Sequence, residues 1–504
     1  MSPAAAHPRD WPRPVEWLLG CLAVLVGSGL GVLVYLDGLY GHRLQVKILG
    51  VMPALVNDVP WLWTLLGAVL IAAFGWLLAW VRLTGSWDRP LLGILVFSLY
   101  ATVIPAIYQG ALLGVVLLLV ERGIRKGDIP IRFGPMFFFA PAVAVLYYTT
   151  MLQTERIGNV LSDSVFRLSY VVMLLLLPSI LCTRRHLETV LHYMILAGLV
   201  GATVGLVQFA LSYVTGRPIT FASEEVVKIS TPWGFMIRCT GLMAHPNHQG
   251  NCLGSTATLL AWFFTRPAGQ LSRSRRLYYM AAWFWICLGC IVTWSRSTWL
   301  GLAVTHFFIP VVRWPRIAVP YFLSWGAVVA AGLETGVLQK LYEIVKEFNV
   351  SSADFRWHMD AIAAQSFLYE PWIGRGVGGM IDYFNPYHLE VHNTYLQIAA
   401  ELGIAGLTVF GLLGAGLSLR LFWVLLRPHH PEDREWVVGV ILASGVILIQ
   451  NMFAMFLWIK YFWFLLALME SVILVSRRQP TDAEPSNLAF LPRPAGSGLL
   501  VHGT

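Results

Sequence analysis

Four short stretches of the chain gather side chains able to do acid–base or anion chemistry. The first runs Arg238-Cys-Thr-Gly-Leu-Met-Ala-His245-Pro-Asn247-His-Gln-Gly. The second is Trp294-Ser295-Arg296-Ser297. The third is Arg356-Trp357, followed by Glu370-Pro-Trp-Ile-Gly374-Arg375-Gly376-Val-Gly378-Gly379. The fourth is His388-Leu-Glu390-Val-His392-Asn393-Thr-Tyr395-Leu-Gln397. Apolar runs lie beside all four, and charge at membrane depth is costly enough to mark a site or a pathway.

Guanidinium keeps its charge and offers a planar fork of donors that suits phosphate oxygens. Arg238 and Arg296, placed at the starts of apolar spans, therefore read either as a diphosphate clamp or as interfacial arginines reaching for lipid headgroups. A helix start would add its positive dipole end to an anion site. The Ser-Arg-Ser turn adds hydroxyl and backbone donors.

His392 is the candidate for proton transfer, because neutral imidazole accepts a proton near physiological pH. His388 and Glu390 stand close enough in sequence to orient or tune it. Two other readings stay open: an interfacial or helix-capping histidine, and a metal pair formed by His388 and His392 with Glu390 nearby. The Gly374-Arg-Gly-Val-Gly-Gly run follows no strand and reads as a tight glycine turn rather than a nucleotide loop. Cys287 and Cys290 form a C-x-x-C inside an apolar run, where thiols act as small hydrophobes.

Long apolar elements must position these groups. The chain has 504 residues, 57% hydrophobic and 12% charged, a balance that excludes an ordinary soluble domain. Apolar runs near 17–36, 61–81, 91–104, 106–120, 134–151, 165–182, 190–213, 246–265, 278–293, 297–312, 317–333, 395–426, 436–456 and 458–475 are spans by length. Residues 91–120 form one run interrupted by Ile104-Pro105, read as a tight hairpin. The expected class is all-α, a polytopic integral membrane protein with about 12–14 transmembrane helices. No cleavable signal peptide is evident in the Pro-rich first 16 residues.

Lysine and arginine placement predicts sidedness. Short segments carrying Arg122, Arg125, Lys126 and Arg132, then Arg184 and Arg185, then Arg266, Arg273, Arg275 and Arg276, then Arg313 and Arg316, all fall on one side with both termini. The expected organisation is a cytoplasmic segment 1–16, helices over 17–213, an outer loop 214–245, helices over 246–333, a large outer loop 334–394, helices over 395–475 and a cytoplasmic tail 476–504. Apolar spacing over Glu334–Tyr369 predicts a helix lying across the outer face. All four polar stretches then share the outer side.

Their order resembles the O-antigen ligase and O-antigen polymerase family of bacterial membrane glycosyltransferases. The matching features are Arg238…Gly241…Pro246-Asn247, Ser295-Arg296-Ser297, and Arg356-Trp357…Pro371…Gly374-x-Gly376-x-Gly378. They continue with His392-Asn393-x-Tyr395-Leu396 and Glu401-x-Gly403-x-x-Gly406-Leu407. The last block is the specific one, and the likeness extends over roughly residues 238–410.

The resemblance implies a GT-C-like membrane enzyme of the inner membrane with its active site facing the periplasm. Its donor would be a glycan on undecaprenyl diphosphate. The acceptor hydroxyl would belong to lipid A core in a ligase or to a lipid-linked repeat in a polymerase, with inversion and without cofactor or metal. His392 would be the base and Arg238 and Arg296 the diphosphate binders, with Arg356 and Arg375 as weaker members. Asn393, His388 and Glu390 would border the substrate. Membrane lipids are the surroundings, and no nucleic acid is expected as a partner. A lipid-linked oligosaccharide flippase and a non-catalytic assembly scaffold are the rival classes, and neither needs a base beside a long outer loop.

Overall fold

The computed structural model describes residues 88–101, 105–126, 134–152, 157–220, 227–231, 234–267, 269–340, 343, 350–381, 391–455, 457 and 459–477. The first two expected spans, the N-terminal segment, most of the C-terminal tail, and His388 and Glu390 lie outside these residues.

The described residues are helical almost throughout, as an all-α polytopic membrane protein must be when no water reaches its backbone. The helices are α1 (Asp88–Leu99), α2 (Pro105–Lys126), α3 (Met136–Met151), α4 (Ile157–Ile180), α5 (Arg184–Thr215), α6 (Pro246–Phe264) and α7 (Arg273–Val292). They continue with α8 (Arg296–Arg313), α9 (Ala318–Glu334), α10 (Val350–Tyr369), α11 (Thr394–Leu426), α12 (Pro431–Gln450) and α13 (Lys460–Ser476). Helices α5, α9 (with its preceding turn) and α11 are long and apolar enough to cross a membrane. The 91–120 run is indeed split: α1 ends at Leu99 and α2 begins at Pro105, a residue type favoured at a first helical position.

Helix α6 is central and packs on α5, α7, α8 and α12. Its side chains are buried on all sides, so it shows no amphipathic face. Glycines allow the close approaches. A Cβ on Gly289 of α7 would meet the Ala202 Cβ of α5 at 2.5 Å, and one on Gly301 of α8 would meet Val446 of α12 at 3.1 Å.

The two ends of this bundle differ in charge. Where α5, α7 and α12 begin and α6 and α8 end, arginines meet the acidic first turn of α12. Arg313 reaches Glu435 at 2.7 Å, Arg266 reaches the same carboxylate at 3.5 Å, and Arg184 reaches Asp433 at 2.9 Å. The polar stretches occupy the opposite end, where α6, α8 and α11 begin. Helix α9 lies against α8 through an aromatic cluster, Phe307 standing 5.2 Å from Tyr321 and 5.6 Å from Trp325. Its remaining apolar surface is exposed, as a lipid-facing helix requires.

Three expectations are adjusted. The loop 214–245 contains a small antiparallel hairpin, β1 (Lys228–Thr231) with β2 (Gly234–Ile237). Arg238 therefore follows a strand and does not start a span. The 436–456 span begins earlier, at Pro431, and ends at Gln450, because Asn451 turns to receive α11. Within the helix expected over Glu334–Tyr369, α9 ends at Glu334 and Gly336 takes φ 71°, while residues 337–340 and 343 and α10 from Val350 are helical.

Candidate active site

Arg238 is fixed from two sides. Its backbone N–H donates to the Val227 carbonyl at 2.8 Å, and the next residue, Cys239, donates to the Val292 carbonyl at 3.0 Å. Its side-chain Nε donates to the Thr293 carbonyl at 3.2 Å and Nη2 to Asn247 Oδ1 at 2.5 Å. The guanidinium thus joins the end of α7 to the first turn of α6. Thr293 can offer its carbonyl there because the α7–α8 turn is unusually tight. Trp294 holds φ 49°, a left-handed conformation unfavourable for a bulky side chain, and its ring lies 5.3 Å from that of Trp299. After the N-cap Ser295, Arg296 is the first residue of α8.

Arg356 enters from α10 and His392 from the residue before the α11 cap. The cap is built by Asn393, whose Oδ1 accepts the N–H groups of Tyr395 at 3.0 Å and Leu396 at 3.2 Å. Thr394 is tied to α12, its N–H donating to the Asn451 carbonyl at 2.8 Å and its hydroxyl to the Ala454 carbonyl at 2.9 Å. Tyr395 Oη donates to the Leu448 carbonyl at 3.1 Å. As that cap, Asn393 ends the loop beside its neighbour His392 at a fixed point.

Electrostatics show which of these groups share one field. Burial first, then the positive charges of Arg356 and Arg296, hold the Arg238 guanidinium down to about 10. Burial and Arg296 likewise lower Arg356, with Asp360 acting in the opposite sense. Burial and then Arg356 bring the His392 imidazole down to about 4. The ring is therefore neutral at physiological pH. Arg238, Arg296, Arg356 and His392 converge, although strand, turn, helix and loop supply them from distant parts of the sequence.

Arg375 has a carboxylate partner of its own. It turns to Glu370 at 3.3 Å and lies 4.9 Å over the Tyr369 ring. The glycines beside it serve backbone packing. Gly403, inside α11, takes φ 62° and ψ −158°, which breaks the helix and frees two donors and two acceptors. The 371–376 segment satisfies all four. Ile404 donates to Pro371 at 2.7 Å and Ala405 to Trp372 at 3.1 Å, while Arg375 donates to Ala400 at 3.0 Å and Gly376 to Glu401 at 2.9 Å. Buried Glu401 accepts from Gln397 Nε2 at 3.2 Å on the same helix.

Two residues escape a reading by residue type. Asp360, one helical turn after Arg356, keeps a buried Oδ1 without a hydrogen-bond partner among the described residues, and burial raises its carboxyl. Its i, i+4 spacing from Arg356 is the signal that would have found it. His245 caps α6, accepting the Asn247 N–H on Nδ1 at 3.0 Å; the following Pro246 at the first helical position is its signal. Cys287 and Cys290 are free thiols on α7.

No curated protein matches the chain. One family model does, over residues 280–411, a stretch that contains Arg296, Arg356, the glycine lock and His392 but begins after Arg238 and His245. The matched family is described as O-antigen ligase, and over those residues the chain is similar to it.

Proposed function

We propose that the protein transfers a glycan from a polyprenyl diphosphate, undecaprenyl diphosphate in the bacterial inner membrane, to a sugar hydroxyl of lipid A core. The observation that carries this reading is the convergence of three mutually repelling guanidiniums around a neutral histidine. Repelling cations in one place favour an anionic ligand. A neutral imidazole beside them is ready to take a proton.

In this reaction the acceptor oxygen attacks the anomeric carbon from the face opposite the diphosphate. The new glycosidic bond forms as the bond to the diphosphate oxygen breaks, so configuration inverts. The hydroxyl proton passes to His392. Negative charge grows on the leaving diphosphate, where Arg238, Arg296 and Arg356 stabilise the transition state more than the ground state. The arginine-rich end of the bundle would face the cytoplasm and the site the periplasm.

The decisive experiment uses purified protein, a lipid-linked donor and two acceptors, lipid A core and a second lipid-linked repeat. His392→Gln keeps polarity but loses basicity, and should lower turnover about 10²–10⁴-fold while donor binding persists. Wild-type protein should use lipid A core, and a chelator should leave the rate unchanged. Full activity of His392→Gln removes the base. Transfer only to the lipid-linked repeat makes the protein a polymerase.

A further inference from the structure

As the N-cap of α6, His245 accepts the Asn247 N–H on Nδ1 at 3.0 Å. An accepting nitrogen carries no proton, so a neutral ring at this position bears its proton on Nε2. Nε2 makes no hydrogen bond among the described residues. Pro246 and the Asn247 cap contact fix the ring at the helix entrance, and Asn247 in turn holds Arg238.

Burial and the surrounding charges keep the ring neutral. Burial acts first, then His248, Arg238, His392 and Arg356, and together they bring the imidazole down to about 2. The ring of His248 lies 5.2 Å away on the same helix turn. His245 therefore shares the field of Arg238, Arg356 and His392, yet adds no charge to it.

We infer that His245 Nε2–H is a fixed, uncharged hydrogen-bond donor to the diphosphate held by the arginine cluster. This rests on the polyprenyl-diphosphate reading above. A fourth cation would add to the repulsion that already depresses Arg238. A neutral donor gives direction to the bound phosphate without that cost, and its tautomer is set before the ligand arrives.

The test is binding of geranylgeranyl diphosphate to the purified full chain, with geranylgeraniol as the uncharged control. His245→Asn and His245→Ser retain a side-chain acceptor for the cap but lack the Nε2–H. Both should keep the wild-type affinity for the alcohol and bind the diphosphate about 10- to 100-fold more weakly. A cap variant with wild-type affinity for the diphosphate overturns the inference. So does one that loses alcohol and diphosphate binding alike, since that assigns His245 to structure alone. Arg238→Ala separates this inference from its parent. If Arg238→Ala binds the diphosphate normally, the donor-site reading itself fails. If it loses binding while His245→Asn does not, only the role of His245 falls.

Discussion

Gly374 and Gly403 interlock across the large loop and α11. A Cβ on Gly374 would stand 2.6 Å from the Leu402 nitrogen, and one on Gly403 would stand 2.6 Å from the Ile373 nitrogen. Both residues hold a positive φ, 67° and 62°. Each glycine thus permits the backbone conformation and the close approach that the other element requires.

Alanine at either position should destabilise the protein by about 2–4 kcal/mol, combining left-handed strain with overpacking against backbone. Gly374→Ala/Gly403→Ala should cost less than the two singles added, because the first change already opens the junction. Thermal unfolding of the four proteins in detergent measures this. Strict additivity would mean that the two glycines are independent.

The arginines should separate by location. Arg238→Ala and Arg296→Ala should each lower turnover about 10²–10³-fold, and the lysine variants should recover part of it through their point charge. Arg375→Ala should act on stability instead and keep turnover at least about tenfold above Arg356→Ala, because Arg375 is engaged with Glu370. Steady-state kinetics on protein of matched expression checks this. Equal losses in Arg375→Ala and Arg356→Ala would place Arg375 at the diphosphate after all.

Because His392 is held down to about 4, its base form fills the neutral range and is lost only as pH falls toward that value. The acid limb of kcat/KM, which reports the free enzyme, should therefore lie well below the ordinary histidine value of 6.5. A bound diphosphate offsets the charge of Arg356, so the acid limb of kcat should sit at higher pH. Coinciding limbs at 6.5 would contradict the burial of the ring. The same sign governs stability. His245 and His392 are neutral in the fold but protonate near 6.5 when unfolded, so the fold loses stability as pH drops below that value.

Sidedness has a direct readout. A cysteine at Gln365, exposed on α10, should react with an impermeant thiol reagent in cells whose outer membrane is opened. One at Gln270, exposed at the arginine-rich end, should be protected. Labelling is read above the native cysteines. The opposite pattern would turn the site to the cytoplasm.

Sequence alone determined the all-helical membrane architecture, the break before Pro105, and the order of the four polar stretches. These follow from local quantities: apolar run length, the missing N–H of proline, and the cost of charge in an apolar setting. The glycine turn at 374–379 was legible as a turn, but not as the partner of a broken α11. The tertiary structure alone decided which arginines share one field. Arg356 and Arg375 both stand in the third polar stretch, and nothing in the order of residues separates their roles. Packing of α10 on α11 brings Arg356 into the field of Arg238 and Arg296, while the left-handed Gly374 turns the chain so that Arg375 meets Glu370. Likewise, the tautomer of His245 depends on the N–H that its Nδ1 accepts, and its neutrality on burial and on His248, Arg238, His392 and Arg356. Distances between elements far apart in the chain are fixed by close packing and backbone hydrogen-bond satisfaction, and no local pattern of residues encodes them.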